Sequence, residues 1–325
     1  MDLSTTYMGL TLRNPFIVAS SGMTKTADQI KKAEDAGAGA VVMKSLFEEQ
    51  IREESSSIGD QSMVHTEAME YLRAEIDMLY GPREYIETIK KAKKEVDIPV
   101  IASVNCFSSK WWTDYAQQLE AAGADALELN VYVLPFDIDK GSYDLENTYI
   151  DILQAVMDRV DIPVSMKLSP YFTSFGNFAD KLDKHGADGL VLFNRFIQPE
   201  VNIHAISSSV KPLFDDPIGF THALRWVALL SDRLNLDIVA SGNIRTADDA
   251  IKQLLAGATA VQFASILYKK GLDVIGTMID GLTKWMTEKE FSTLDDFRGK
   301  LNEINDPHSV SFVRAQFIKT ITGIE

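Results

Sequence analysis

The stretch that decides the fold is Gly123-Ala124-Asp125-Ala126-Leu127-Glu128-Leu129-Asn130, in which a Gly-Ala pair precedes a short apolar run that ends on a polar residue. Glycine suits the left-handed residue that closes a helix, and an apolar run is typical of a strand that is buried on both faces. The stretch therefore indicates a helix that leads into a parallel strand. The chain repeats this pattern at Ala36 to Lys44, Gly186 to Asn194 and Gly257 to Ser265.

A second kind of apolar run lies between these copies. Three such runs begin with Asp-Ile, at Asp97 to Asn105, Asp161 to Lys167 and Asp237 to Gly242, and a further run, Asn14 to Ser20, precedes the first copy. Together the two kinds of run give about eight strands, which is the number in a (β/α)8 barrel. We therefore predict an α/β fold, a (β/α)8 TIM barrel.

Other elements follow from local patterns. The residues from Thr5 to Leu12 surround a Met-Gly turn and predict an N-terminal β-hairpin that closes the barrel floor. The segment from Phe291 to Glu325 is expected to be helical and to pack outside the barrel. Apolar residues at helical spacing predict further helices at 28–36, 83–95, 111–122, 146–159, 174–185, 220–233, 247–256 and 266–287.

Two stretches are longer than a minimal βα repeat needs, about 45–81 and about 196–218. Both would leave from the rim of the barrel at which active sites lie, so we expect extended loops there. The first is long enough to be a lid or a subunit contact, and its many acidic residues are equally typical of a solvated surface.

Composition limits the class of protein. The 325 residues, 46% hydrophobic and 24% charged, fit one globular domain over 1–325 with inserted loops. The net charge of −15 disfavours a nucleic acid or an anionic membrane as partner, and no run approaches the ~20 apolar residues of a membrane span. The first residues lack a signal-peptide pattern, and the lone Cys106 suits a reducing compartment and excludes a multi-cysteine metal site. We expect a cytoplasmic protein without a bound metal.

Polar residues stand where four predicted strands end. They are Lys44, Asn130, Lys167 and Asn194, and the carboxyl ends of barrel strands line the active-site mouth. Any one of them could simply end a strand, but together they make a mouth rich in hydrogen-bond donors and poor in acids. Such a mouth suits an electron-rich ligand such as a flavin, which gains negative charge near N1 when it is reduced.

A phosphate group would need a separate seat. Barrels usually build one from the loops after the seventh and eighth strands. Ser241-Gly242-Asn243 and Ala264-Ser265 lie at these places and are small enough for backbone N–H groups to approach a phosphate. The same residues are also common in ordinary turns.

Several motifs resemble the dihydroorotate dehydrogenase family of FMN barrels, most closely its soluble class 1 members. They cover most of the chain in order and include Asn14 to Gly22, Met43 to Ser45, Glu128 to Asn130, Met166 to Phe172, Asn194 and the block of the last two barrel strands. The resemblance implies an FMN-dependent oxidoreductase of pyrimidine metabolism that acts on CH–CH groups. Hydride would pass between flavin N5 and a small planar substrate, dihydroorotate or a related compound. An electron acceptor or donor that the sequence does not identify, and a homodimer, are also implied.

The resemblance also assigns roles to single residues. Backbone atoms of Ala19 and Ser20 would meet the flavin, Lys44 and Lys167 would lie beside its ring, and Asn130 would serve flavin or substrate. Further roles would fall to Asn105 at the flavin, to Asn194 and Lys44 at the substrate, and to Ser241, Gly242, Ala264 and Ser265 at the phosphate.

The loop after the fourth strand departs from the family pattern. Soluble members read Asn-x-Ser-Cys-Pro-Asn there, with the cysteine as the base that removes the C5 proton of dihydroorotate. This chain reads Asn130-Val131-Tyr132-Val133-Leu134-Pro135, so Val133 stands where the base belongs and cannot accept a proton. Tyr132 is the candidate acid–base residue, although the usual pKa of tyrosine makes it a poor base. The acidic residues of Asp137-Ile138-Asp139, from the same loop, are the alternative proton donors.

Two other functions remain open at this point. A barrel aldolase or isomerase could use Lys167 as a Schiff base, with the same phosphate seat. A flavin-binding protein without turnover would explain Val133.

Overall fold

The computed structural model describes residues 1–50, 81–106, 113–194, 199–210 and 217–305. Most of the first long loop, predicted at about 45–81, lies outside the described residues. So do the second half of the predicted C-terminal helix and the residues 195–198 and 211–216.

Most strands of the described residues belong to one sheet. The strands are β1 Thr5–Tyr7, β2 Leu10–Leu12, β3 Phe16–Val18, β4 Ala40–Val42, β5 Leu46–Phe47, β6 Val100–Cys106, β7 Ala126–Val131, β8 Val164–Leu168, β9 Gly189–Leu192, β10 Pro199–Asn202, β11 Ser207–Val210, β12 Asp237–Ser241 and β13 Ala260–Phe263. The order β4-β3-β13-β12-β9-β8-β7-β6 is parallel throughout, and pairing of β4 with β6 closes the ring. These eight strands confirm the predicted (β/α)8 barrel.

Helices follow the strands close to the predicted ranges. They are α1 Ala27–Asp35, α2 Pro82–Glu95, α3 Thr113–Ala121, α4 Ser142–Met157, α5 Phe175–Lys184, α6 Pro217–Leu230, α7 Ala247–Leu255, α8 Ser265–Lys270 and α9 Val274–Glu288. Helix α4 begins earlier than expected because the Asp144 carboxylate accepts a hydrogen bond from the Gly141 N–H at 2.9 Å. The single helix predicted over 266–287 is divided, because α8 ends at Gly271, whose φ of +76° is left-handed.

The predicted helix beginning at Phe291 is wrong for residues 291–305, which form turns. The Asp296 carboxylate accepts hydrogen bonds from the N–H groups of Ser292 and Thr293, and Gly299 has a φ of +71°. Both features are typical of turns. The segment does pack outside the barrel, where the Phe297 ring lies 4.9 Å from the Trp285 ring of α9.

The N-terminal hairpin closes the barrel floor, as predicted. Strands β1 and β2 pair around Met8 and Gly9, whose φ values of +52° and +75° suit a tight two-residue hairpin turn. Buried Tyr7, Met8 and Leu12 pack in one cluster with interior barrel residues such as Val191. Because the floor is covered, a ligand would enter from the carboxyl ends of the strands.

The second long loop contains a hairpin that local patterns did not predict. Strands β10 and β11 pair antiparallel, and three apolar side chains of the hairpin are exposed, namely Val201, Ile203 and Ile206.

Asn14, which begins the Asn-Pro-Phe motif, has a structural role. Its amide donates a hydrogen bond to the Gly37 carbonyl at 2.8 Å and accepts one from the Phe16 N–H at 3.1 Å. A Cβ atom on Gly39 would lie 2.1 Å from the Asn14 carbonyl oxygen. Asn14 therefore fixes the end of α1 against the start of β3.

We expect Gly39→Ala to lower the free energy of unfolding by about 1–3 kcal/mol, because the new methyl group overlaps backbone that cannot move freely. Urea denaturation measures the change. Gly276→Ala in α9 is the matched control, since a Cβ atom there meets nothing within 4 Å. This control should be neutral or stabilising by about 0.5–1 kcal/mol, and equal destabilisation of both variants would contradict the account.

Candidate active site

The barrel interior changes from apolar to polar between floor and mouth. Ala126 belongs to the apolar cluster on the hairpin, and strand alternation turns Glu128 and Asn130 to the same face of β7. Asn130 lies in register with Asn105 of β6 and with Lys167 of β8. Three of the predicted site residues therefore stand side by side on neighbouring strands.

Two predicted amides meet at the mouth. The Asn194 Nδ2 donates to Asn130 Oδ1 at 2.5 Å, and the Asn194 N–H donates to the Leu168 carbonyl at 2.6 Å. Both side chains are partly exposed. The contact spans the ends of β7 and β9 and gives the mouth a row of hydrogen-bonding groups.

Lys44 and Lys167 have different surroundings. Lys167 is buried, and its Nζ lies 3.6 Å from Glu128 Oε1 and 3.4 Å from Gln262 Oε1. Lys44 follows β4 and is half-buried, and no hydrogen bond or ion pair of its ammonium is found within the described ranges. Lys44 therefore has its donors available for a ligand.

A chain of hydroxyl groups supports the backbone at Ser20. The Ser20 Oγ accepts a hydrogen bond from the Ser45 N–H at 2.8 Å and lies 2.9 Å from the Ser45 Oγ, which is 2.8 Å from the Ser103 Oγ. The N–H of Ala19 donates to the Phe263 carbonyl at 3.0 Å, so it binds the neighbouring strand rather than a ligand. Sequence reasoning missed Ser45 and Ser103, whose partners are distant in the chain.

The four residues of the predicted phosphate seat lie at the carboxyl ends of two adjacent strands, β12 and β13. Ser241 ends β12 in register with Gln262 of β13, while Ala264 and Ser265 open α8. Gly242 has a φ of +106°, and a Cβ atom on it would approach only the Gly219 backbone, at 3.9 Å. The turn therefore leaves room for a ligand close to its backbone.

Val133, in the loop after β7, stands where soluble family members have their catalytic base, and it packs against apolar side chains. Val133 is partly buried against the main core, whereas Leu134, Phe136 and Ile138 are exposed. Tyr132 is 37% exposed, and partial burial of its hydroxyl, with a smaller contribution from Tyr171, raises its pKa above the ordinary 10.0. The phenolate of Tyr132 is therefore scarce at neutral pH, so the residue is seldom available as a base.

We expect the Tyr132 phenol to reach half-ionisation above pH 10, because a raised pKa keeps the proton bound to a higher pH. The difference between alkaline absorbance titrations of the native protein and Tyr132→Phe isolates this phenol. Half-ionisation at pH 10 or below would contradict the burial seen in the structure.

The described residues hold neither a cluster of metal ligands nor a membrane-spanning helix. They include no group of three or more His, Cys, Asp and Glu side chains that could hold a metal ion. None of their helices is long and apolar enough to cross a membrane.

Comparison with known proteins agrees with this geometry. The family model described as dihydroorotate dehydrogenase matches residues 67–286. The chain belongs to the dihydroorotate dehydrogenase family. It is 31% identical over 310 residues to a protein of Thermoplasma volcanium, covering 92% of this chain and 98% of the relative. It is 29% identical over 315 residues to a protein of Pyrococcus furiosus, covering 94% of this chain and 100% of the relative. Both relatives are named dihydroorotate dehydrogenase B (NAD(+)), catalytic subunit.

Membership of the dihydroorotate dehydrogenase family confirms the resemblance drawn from the motifs. It also confirms the predicted class of enzyme, a flavin-dependent oxidoreductase that acts on CH–CH groups. The roles of single residues stay predictions.

Proposed function

We propose that this protein binds FMN at the carboxyl mouth of the barrel and transfers a hydride between flavin N5 and a small planar substrate. The proposal is supported by four polar residues at the carboxyl ends of barrel strands, where Asn130 and Asn194 are hydrogen-bonded and Asn130 is in register with Lys167; the fourth residue is Lys44. The small residues at the ends of β12 and β13 lie next to each other, because the two strands are paired, and a phosphate group would be bound there.

The residues present suit a flavin. Lys44 has an ammonium without a partner among the residues that the structure describes, and the mouth amides offer both donors and acceptors. Cations beside the ring stabilise the negative charge that reduction produces, while FMN itself supplies the hydride chemistry at N5 when it is bound. Ala19 would contribute its carbonyl rather than its N–H.

We propose that dihydroorotate reduces the flavin of this protein slowly. The natural substrate is then either a related compound or dihydroorotate turned over at that low rate. Hydride loss from C6 leaves a C5 proton, and Val133 cannot take it. Tyr132 keeps its proton at neutral pH, so the phenol could donate it when a conjugated double bond is reduced. Between Asn130 and Pro135, Tyr132 is the one side chain with an ionisable proton.

The electron partner is proposed to be a second protein. The relatives are named as catalytic subunits with NAD(+) in the name of the enzyme, which supports an electron route through a further subunit. A homodimer and a cytoplasmic location remain predictions from the sequence.

The surroundings of Lys167 do not favour the Schiff-base alternative. A nucleophilic lysine must lose its proton, which apolar or cationic surroundings promote. Lys167 instead lies beside the buried carboxylate of Glu128.

The phosphate seat can be tested by comparing FMN with riboflavin. We expect the apoprotein to bind FMN with a Kd at least 100-fold lower, about 2.7 kcal/mol, because riboflavin lacks the phosphate. Fluorescence titration measures both values. Equal affinities would show that no phosphate seat exists, and absence of binding by either compound would remove the flavin proposal itself.

A further inference from the structure

We propose that Glu128 is a positioning residue for Lys167 and that, with Gln262, it forms a polar platform that holds the Lys167 ammonium beneath the mouth. The proposal rests on the proposed function, because the ligand that this ammonium faces would be the flavin. Glu128 would touch neither flavin nor substrate.

The platform is a closed triangle of side chains from three barrel strands. Gln262 Nε2 of β13 donates to Glu128 Oε2 of β7 at 2.7 Å. Lys167 Nζ of β8 donates to Gln262 Oε1 at 3.4 Å and lies 3.6 Å from Glu128 Oε1. Each side chain contacts both others, so displacement of one would disturb the remaining pair.

Glu128 and Lys167 form a buried charge pair within the triangle, and neither charge can be removed without leaving the other uncompensated. The Glu128 side chain is 1% exposed and the Lys167 side chain 9% exposed. Within the described part of the chain, Glu128 Oε1 has no hydrogen-bond partner, and Lys167 is the one cation found against this carboxylate. A buried carboxylate without a counter-charge is strongly unfavourable, so Lys167 supplies its compensation.

The geometry leaves Lys167 able to bind a ligand as well. An ammonium has three N–H donors, and the described residues provide two partners for it, Glu128 and Gln262. Lys167 is in register with Asn130, whose side chain reaches the mouth. A third donor of Lys167 therefore has no partner among the described residues and could bind a ligand at the mouth.

The platform also sets the charge of the mouth. Glu128 compensates Lys167, whereas Lys44 has no acidic partner among the described residues. The two lysines and Glu128 therefore leave one net positive charge, which matches the one negative charge of an anionic reduced flavin. Replacing Glu128 changes both this balance and the freedom of Lys167.

A double-mutant cycle on the flavin midpoint potential tests the proposal. The variants are Glu128→Gln, Lys167→Met and the two combined, each loaded with FMN. The midpoint potential reports how much more tightly the protein binds reduced than oxidised flavin. If Glu128 acts through Lys167, Lys167→Met should change this affinity ratio by one factor in the native chain and by another in the Glu128→Gln chain. The two factors should differ at least tenfold. That is about 30 mV for a two-electron couple. Additive effects, with a coupling below threefold, would overturn the proposal.

A control within the barrel separates positioning from packing. Ser165 of β8 is fully buried and donates to the Leu127 carbonyl at 3.3 Å, and none of its described hydrogen bonds joins the triangle. Ser165→Ala should change the ratio of reduced to oxidised flavin affinity less than threefold, so the midpoint potential should stay nearly the same. A shift equal to that of Glu128→Gln would mean that any polar loss in the barrel moves the potential, and would overturn the specific role of Glu128.

The platform can also be tested without flavin. In the apoprotein, Lys167→Met should lower the thermal unfolding midpoint because it leaves Glu128 uncompensated, and Glu128→Gln in the same chain should restore much of the loss. Failure of FMN to bind would remove the proposed function and leave this result intact. If Glu128→Gln does not restore the unfolding midpoint of Lys167→Met, Glu128 and Lys167 do not act as a charge pair, and the proposal is wrong.

Discussion

Replacing Val133 by cysteine is expected to accelerate reduction of the bound flavin by dihydroorotate at least tenfold. A positioned base typically contributes about 10²–10⁴ in rate, and a thiolate at this place would accept the C5 proton that valine cannot. Cysteine is also small and apolar enough to keep the packing of Val133 against the core. Anaerobic stopped-flow absorbance of the FMN-loaded protein measures the rate.

Leu134→Cys is the matched control for this prediction. It introduces a thiol one residue further along the same loop, at a side chain that is 51% exposed. This variant should reduce no faster than the unmodified protein. Rapid reduction of the unmodified protein by dihydroorotate would show that another residue accepts the proton, and Tyr132→Phe would then be the next variant to measure.

Lys44→Met is expected to raise the Kd for FMN about 10- to 100-fold and to lower the flavin midpoint potential. A hydrogen bond to a charged group contributes about 1.5–3 kcal/mol, and loss of a cation near the ring disfavours the anionic reduced form. Lys44 has no ion-pair partner within the described residues, so the substitution breaks no ion pair among them. Stability should therefore change little.

Lys90→Met on α2 is the control for non-specific loss of charge. Lys90 is 47% exposed and pairs with Glu87 on the outer surface of the barrel. Its replacement should leave flavin affinity and potential unchanged. If Lys44→Met also leaves both unchanged at full occupancy, the Lys44 side chain does not face the flavin.

The barrel could be predicted because its signals are local. The strand expected to end at Asn130 is β7, Ala126–Val131, and the closing glycines Gly123 and Gly186 have φ values of +99° and +89°. The turns after Phe291 are hard to tell from a helix by pattern, since buried Leu294 and Phe297 are three residues apart, a spacing that also suits a helix. Only the capping by Asp296 and the conformation of Gly299 show the difference.

Part of the candidate site could also be predicted from the sequence, and part could not. Lys44, Asn130, Lys167 and Asn194 could be placed at the mouth because each ends a strand, and strand ends share one rim. The platform could not be predicted, because Gln262 contacts Glu128 across 134 residues of chain and Lys167 across 95. Glu128 stands inside an apolar run, where its partners depend on barrel closure rather than on neighbouring residues.

The most direct test of the central claim is the visible absorption spectrum of the purified protein after incubation with FMN and removal of the unbound compound. We expect a yellow protein that retains one FMN per chain, because the mouth offers cations and amides beside the proposed phosphate seat. A folded protein that stays colourless under these conditions would contradict it.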